Sequence, residues 1–76
     1  MSVIDIVYAD QIQAGDYVEF IATDYDGEEC EPYTEVMTVK TVVDNTETIQ
    51  VEGYSEVWGE NIYHNVPLAR GFGLLA

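Results

Sequence analysis

The segment DYDGEECEPY, residues 24–33, gathers five acids and the only cysteine of the chain into ten positions. Residues of these types can bind calcium, share a proton as a catalytic pair, or stay solvated. A calcium loop of the EF-hand kind needs oxygen ligands at positions 1, 3 and 5, glycine at 6 and glutamate at 12. Placing Gly27 sixth sets Asp24 and Asp26 correctly but puts Ala22 first and Tyr33 twelfth, so only weak association with divalent cations is expected. Acid–base catalysis needs burial or a partner to drive two carboxyl pKa values apart, and a solvated loop supplies neither. Cys30 lies between Glu29 and Glu31, whose charges disfavour a thiolate nucleophile. His64, in IYHNV, has no second histidine and no nearby serine or cysteine, which indicates a surface or packing role. No catalytic residue, metal site or cofactor is expected.

The elements that hold this segment must be strands. Apolar runs occur at 3–8 (VIDIVY), 17–22 (YVEFIA), 33–43 (YTEVMTVKTVV) and 48–54 (TIQVEGY), with shorter ones around Ile62 and 66–68. Ile49 and Val51 alternate with Thr48, Gln50 and Glu52, as in a strand with one buried face. Val18, Phe20 and Ala22 form a similar inward set. Within 33–43 the parity is mixed, with Met37, Val39 and Val43 against Val36 and Val42, which predicts a bulge or bend. Turn residues at 14–16, 26–27, 44–47 and 58–61 separate the runs.

Asp26-Gly27 is a strong two-residue hairpin signal. In the direct register, however, Asp24 faces Glu29, and Glu31 and Glu35 fall on the core face beside Ala22 and Val18. That cost predicts a longer irregular loop over 23–34 in place of the hairpin. Its crowded acids repel within a Debye length of about 8–10 Å.

At 12–20, IQAGDYVEF resembles the Gly-Asp-aromatic-Val approach to the first long strand of SH3-like small barrels. Similar wording occurs in self-splicing Hint domains, whose terminal nucleophile and His-Asn end are missing here. The resemblance implies a barrel, and in SH3-like barrels the loop after an early strand is often acidic and serves ligand binding. The expected fold is thus all-β: a small, partly open antiparallel barrel of five or six short strands, one domain over 1–76. The apolar tail at 69–76 is expected to dock on its own or a neighbouring subunit, with Phe72, Leu74 and Leu75 as candidate oligomer contacts.

Fifteen acids against Lys40 and Arg70 give a net charge of −13. Direct binding to phosphate backbones or anionic membranes needs clustered cations and is excluded. No run nears the roughly 20 apolar residues of a membrane-spanning helix, and the N-terminus has no basic, cleavable leader, so a cytoplasmic or virion-associated protein is expected. Three functions fit this composition. The first is a non-enzymatic binding or assembly module, such as a minor virion or accessory protein, with a basic protein or further copies of itself as partner. The second is an inhibitor that imitates nucleic acid for a DNA-binding protein. The third is an SH3-like peptide-binding module. The candidate interaction surface comprises Asp24, Tyr25, Asp26, Glu28, Glu29, Glu31 and Trp58.

Overall fold

A computed structural model describes residues 2–76. The elements are β1 (Val3–Tyr8), a short 3-10 turn (Ala9–Gln11), β2 (Tyr17–Tyr25), β3 (Glu28–Asp44), β4 (Thr48–Ser55), β5 (Glu60–Pro67) and β6 (Gly71–Leu75). They form one antiparallel sheet in the order β1-β6-β2-β3-β4-β5. The expected all-β antiparallel class is therefore observed, but the strand ladder does not close into a barrel.

The sheet is nevertheless strongly bent. Seventeen residues of straight strand would run about 53 Å at roughly 3.3 Å each, whereas the longest dimension of the molecule is 28 Å. The anticipated irregularity in β3 is a bulge at Lys40, where the pairing with β4 shifts between Val39 and Thr41. It reverses the parity: Met37 and Val39 are buried before it, whereas Val42 packs on the core and Val43 is exposed after it. Gly53 pairs with Val39 here, and a Cβ at this position would collide with the Thr38 carbonyl. Only glycine admits so close a backbone approach.

The loop expected over 23–34 is not there. Asp26 (φ 53°) and Gly27 (φ 87°) make the two-residue turn, and Tyr25 pairs with Glu28 and Asp24 with Glu29. Beyond that point Cys30, Glu31 and Pro32 lie opposite the single residue Thr23, and pairing resumes at Ala22 with Tyr33. Pro32, which has no N–H to donate, is tolerated in this wide bulge. The offset turns Glu31 outward and sets Glu35 opposite Phe20 with its side chain fully buried. The expectation failed because the buried carboxylate has a partner on β5 that sequence reasoning did not supply. Asp26, Glu28, Glu29 and Glu31 nevertheless stand exposed close together along the hairpin, inside a Debye length of one another. Replacing Glu28 and Glu29 with glutamine should raise the denaturation midpoint at low ionic strength and leave it almost unchanged at 1 M salt.

Both sheet edges are covered by side chains. On β5, the N–H groups of Tyr63 and Asn65 donate to Asp26 Oδ1 (3.2 Å) and Asp24 Oδ2 (2.9 Å) at the end of β2. These two bonds draw the far edge of the bent sheet against β2, which it does not otherwise pair with. On β1, the N–H groups of Ile6 and Tyr8 donate to Asp5 Oδ1 (2.8 Å) and Gln11 Oε1 (2.9 Å). Side chains thus occupy backbone donors that could otherwise recruit a foreign strand.

The core inside the bend comprises Val18, Phe20, Ala22, Met37, Val39, Ile49, Val51, Ile62, Val66 and Phe72, with Ala9 and Ile12 from the turn. The tail is β6, inserted between β1 and β2. Phe72 stacks on Phe20 with ring centroids 4.2 Å apart and is fully buried, Leu75 is buried, and Leu74 is half-buried against the core. Phe72, expected at an oligomer contact, is thus consumed within the chain. Among the described residues no helix is long and apolar enough to cross a membrane.

Candidate functional site

Three ionisable side chains meet inside the sheet. His64 follows the β5 alternation Ile62, His64, Val66, all buried. Its Nδ1 lies 2.9 Å from Asp24 Oδ1, and its Nε2 lies 2.8 Å from Glu35 Oε2. Phe20 presents an edge-to-face ring at 5.4 Å. Asp24 is buried at the end of β2, not exposed on a loop, and Glu35 and His64 have no exposed surface.

The hydrogen-bond pattern fixes the charges. Glu35 Oε1 accepts from the Val36 N–H (3.0 Å) and the Ser55 hydroxyl (2.6 Å), while Oε2 accepts from the Tyr33 hydroxyl (2.6 Å) and His64. Four donors fill the four lone-pair positions of a carboxylate and leave no place for a carboxyl proton. A neutral imidazole would point one lone pair at a carboxylate oxygen unless that carboxyl carried the proton, so between two carboxylates the geometry favours an imidazolium donating from both nitrogens. Burial by itself would push the Glu35 pKa up, but the bonds from His64, Ser55 and Tyr33 outweigh it and hold it below the usual carboxylate range. Burial would likewise depress His64, yet its bonds to Glu35 and Asp24 hold it above the ordinary histidine value. Among the described residues no buried side-chain polar atom lacks a partner.

Such a cluster clamps strands together. Both imidazole nitrogens are occupied, so neither can take a proton from a nucleophile in this arrangement. The Ser55 hydroxyl is committed to Glu35 as donor and to the Trp58 N–H (3.1 Å) as acceptor. Among the described residues no group of three or more His, Cys, Asp or Glu side chains is arranged to hold a metal ion.

The clamp reaches the surface through Trp58. This residue lies in the β4–β5 turn and is half exposed. Its indole N–H donates to the Tyr33 hydroxyl (2.9 Å), and its backbone N–H is held by Ser55. The Tyr25 and Tyr33 rings meet Trp58 edge-on, with centroid distances of 5.0 and 5.8 Å. Carboxylates border the aromatic group: Tyr25 donates its hydroxyl to Glu60, Glu28 pairs across from Tyr25, and Asp26 occupies the adjoining turn. The bond to Glu60, followed by burial and the charges of Glu60 and Asp26, raises the Tyr25 pKa. For Tyr33, burial and then the bond to Glu35 raise it further.

Of the sequence-derived surface, Tyr25 and Trp58 are in contact, and Asp26, Glu28, Glu29 and Glu31 are exposed on the hairpin. Asp24 belongs to the interior clamp. Tyr33 was one of six aromatics, with Tyr17, Tyr25, Tyr54, Trp58 and Tyr63, that could line a groove beside acidic groups, whereas Glu35, Ser55, Glu60 and His64 were not anticipated at the site. The available signal was parity, since Ile62-x-His64-x-Val66 and Glu35-x-Met37-x-Val39 each place one ionisable residue in an inward-facing set. No protein-family model matches the chain, and neither a curated protein nor a solved structure is detectably similar to it.

Proposed function

We propose that this protein is a non-enzymatic binding module that takes a basic protein segment on the Trp58 face. The observation that carries this reading is the half-exposed Trp58, its indole N–H held by the Tyr33 hydroxyl and its backbone N–H by the Ser55 hydroxyl, flanked by two tyrosines and bordered by carboxylates. An immobilised aromatic surface loses little freedom on binding, and its ring face attracts lysine or arginine side chains. A formal net charge of −13, counted with histidine neutral, adds long-range steering of cationic partners. The bent sheet, joined across its open side by Asp24 and Asp26, supports an open-barrel reading of the SH3-like kind, in which the acidic hairpin serves the ligand.

Titration with an oligolysine peptide at low salt tests this. Binding should weaken steeply with salt, and Trp58→Ala should weaken it about 2- to 5-fold, the range for an exposed cation–π contact. No binding by the wild-type chain, or equal binding by the variant, would refute it.

The charge distribution supports a second reading. Residues 1–9 and 61–76 contain one acid, Asp5, and one base, Arg70; residues 10–60 carry the other fourteen acids with Lys40, and hence the whole net charge. Those fourteen acids run from the 3-10 turn through β2, β3 and β4 to the first residue of β5. An inhibitor that imitates nucleic acid needs a high density of carboxylates, and competition with duplex DNA for a basic DNA-binding domain distinguishes it from the peptide module.

A further inference from the structure

The end of the β2–β3 hairpin has no third strand. β2 pairs with β6 only at Val18 and Glu19, and β3 pairs with β4 only from Met37 onward. From Phe20 to Tyr25 and from Glu28 to Glu35 these two strands therefore have ladder partners only in each other. Within that arm the wide bulge opposite Thr23 interrupts the ladder again and sets off a tip, residues 23–31. A two-stranded hairpin is marginal alone, so whatever touches the tip decides where it lies. Its attachments to β5 are made by side chains: Asp24 to the His64 ring and the Asn65 N–H, Asp26 to the Tyr63 N–H, and the Tyr25 hydroxyl to Glu60. The Tyr63 hydroxyl also lies over Gly27, where a Cβ would collide with it. Of the apolar core the tip carries only the partly buried Tyr25, so lifting it uncovers little apolar surface.

One proton governs these attachments. His64 is faced by Asp24 from β2 and by Glu35 and the Tyr33 hydroxyl (3.4 Å) from β3, while Phe20 covers the ring without charge. Asp26 in the turn and Glu60 on β5 are the other charges where the tip meets β5, and Glu28, Glu29 and Glu31 stand exposed on the tip itself. No lysine or arginine is among them. When the imidazolium loses a proton, one ring nitrogen turns a lone pair on a carboxylate. Glu35 cannot withdraw, because it has no exposed surface and is also held by Val36, Ser55 and Tyr33. Asp24 can, because it stands on the tip and is already 8% exposed. The remaining proton therefore stays on Nε2 toward Glu35, and Nδ1 releases Asp24. We propose that the tip is a strap hinged at the Thr23 bulge, closed on β5 while His64 donates to Asp24 and lifted when that proton leaves. Tyr25, Asp26 and Glu28 travel with it, so lifting dismantles one side of the Trp58 face. That consequence rests on the basic-segment reading above; the strap itself does not.

Amide hydrogen exchange of the full chain between pH 6 and 8 tests this, because the Tyr63 and Asn65 N–H groups are covered by the tip carboxylates. Corrected for intrinsic exchange rates, their protection should be lower than that of the β4 amides, which lie between two paired strands. It should also be insensitive to dilute urea, as for a local opening, whereas the β4 amides should lose protection as urea is added. From pH 6 to 8 the Tyr63 and Asn65 protection should fall about 3-fold or more, within the limit of about tenfold per pH unit for one released proton. Asp24→Asn keeps the Glu35–His64 pair, and its amide can face either form of the ring, accepting from an N–H or donating to a lone pair. In that variant the exchange of Tyr63 and Asn65 should be faster at pH 6 and nearly independent of pH. Protection equal to that of β4, protection unchanged from pH 6 to 8, or a pH dependence retained in Asp24→Asn would each overturn the strap. Exchange that behaves as expected, in a chain that fails to bind oligolysine at pH 6, would uphold the strap and reject only the basic-segment reading.

Discussion

Replacing His64 with leucine is expected to remove about 3–5 kcal/mol of stability, the cost of leaving buried charge without its partner. A folded domain of 76 residues has about 4–11 kcal/mol in total, so the variant should lose about a quarter or more of its stability and fall close to unfolding if the wild type lies at the low end. Asp24 and Glu35 would face each other across a site with no cation, Glu35 fully and Asp24 almost fully out of water. Urea denaturation followed by Trp58 fluorescence reads the loss. The effect comes from stranded charge and not from lost volume, so adding Asp24→Asn and Glu35→Gln to His64→Leu should restore part of the stability. Ordinary cavity damage would make the triple variant worse than the single one. A His64→Leu variant within 1 kcal/mol of the wild type would contradict the clamp.

The second large effect is on pH. The folded-state pKa of His64 is raised above its ordinary value of 6.5, so the folded protein holds a proton that the unfolded chain releases as pH rises. Its contribution is complete below pH 6.5 and is lost as pH climbs through the folded-state pKa, with a slope of about 1.4 kcal/mol per pH unit while one proton separates the two states. Glu35 has the opposite sign. Its pKa is lowered from 4.5, so its contribution is complete above that value and is lost as pH falls through the lowered one. Stability should therefore peak between about pH 4.5 and 6.5, where both groups carry their full contribution. Thermal melts from pH 3 to 9 at constant ionic strength should show this maximum and a fall on the alkaline side. A rise in stability from pH 6.5 to 9 would contradict the assigned charge state.

Strand periodicity made most of the fold legible. The alternation in 17–22 and 48–54 located β2 and β4, and the broken parity of 33–43 announced the bulge at Lys40. The Asp26-Gly27 hairpin was visible too, and was set aside because it drove Glu35 into the core. That inference was sound as far as pairwise charge went: Glu35 does lie on the core face. What it lacked was the long-range partner, since His64 is 29 residues away along the chain and meets Glu35 only after the sheet bends. Local rules price a buried carboxylate alone, whereas the fold prices it with four donors from β3, β4 and β5. Asp24 was misplaced for the same reason, because its two ligands, His64 and the Asn65 N–H, come from β5. Trp58 and Tyr25 could be named as surface residues from composition. Their rigid attachment to the interior through Tyr33 and Ser55 could not.

The most direct test is the protonation state of His64 in the folded protein. Long-range proton–nitrogen correlation spectra recorded from pH 5 to 9 report both ring nitrogens at once. The clamp predicts that Nδ1 and Nε2 each carry a proton at the ordinary value of 6.5 and that the ring gives one up only above it. A folded chain showing one bare ring nitrogen at pH 6.5 and below would mean that the imidazole is neutral, and that β2, β3 and β5 are not held by an ion cluster.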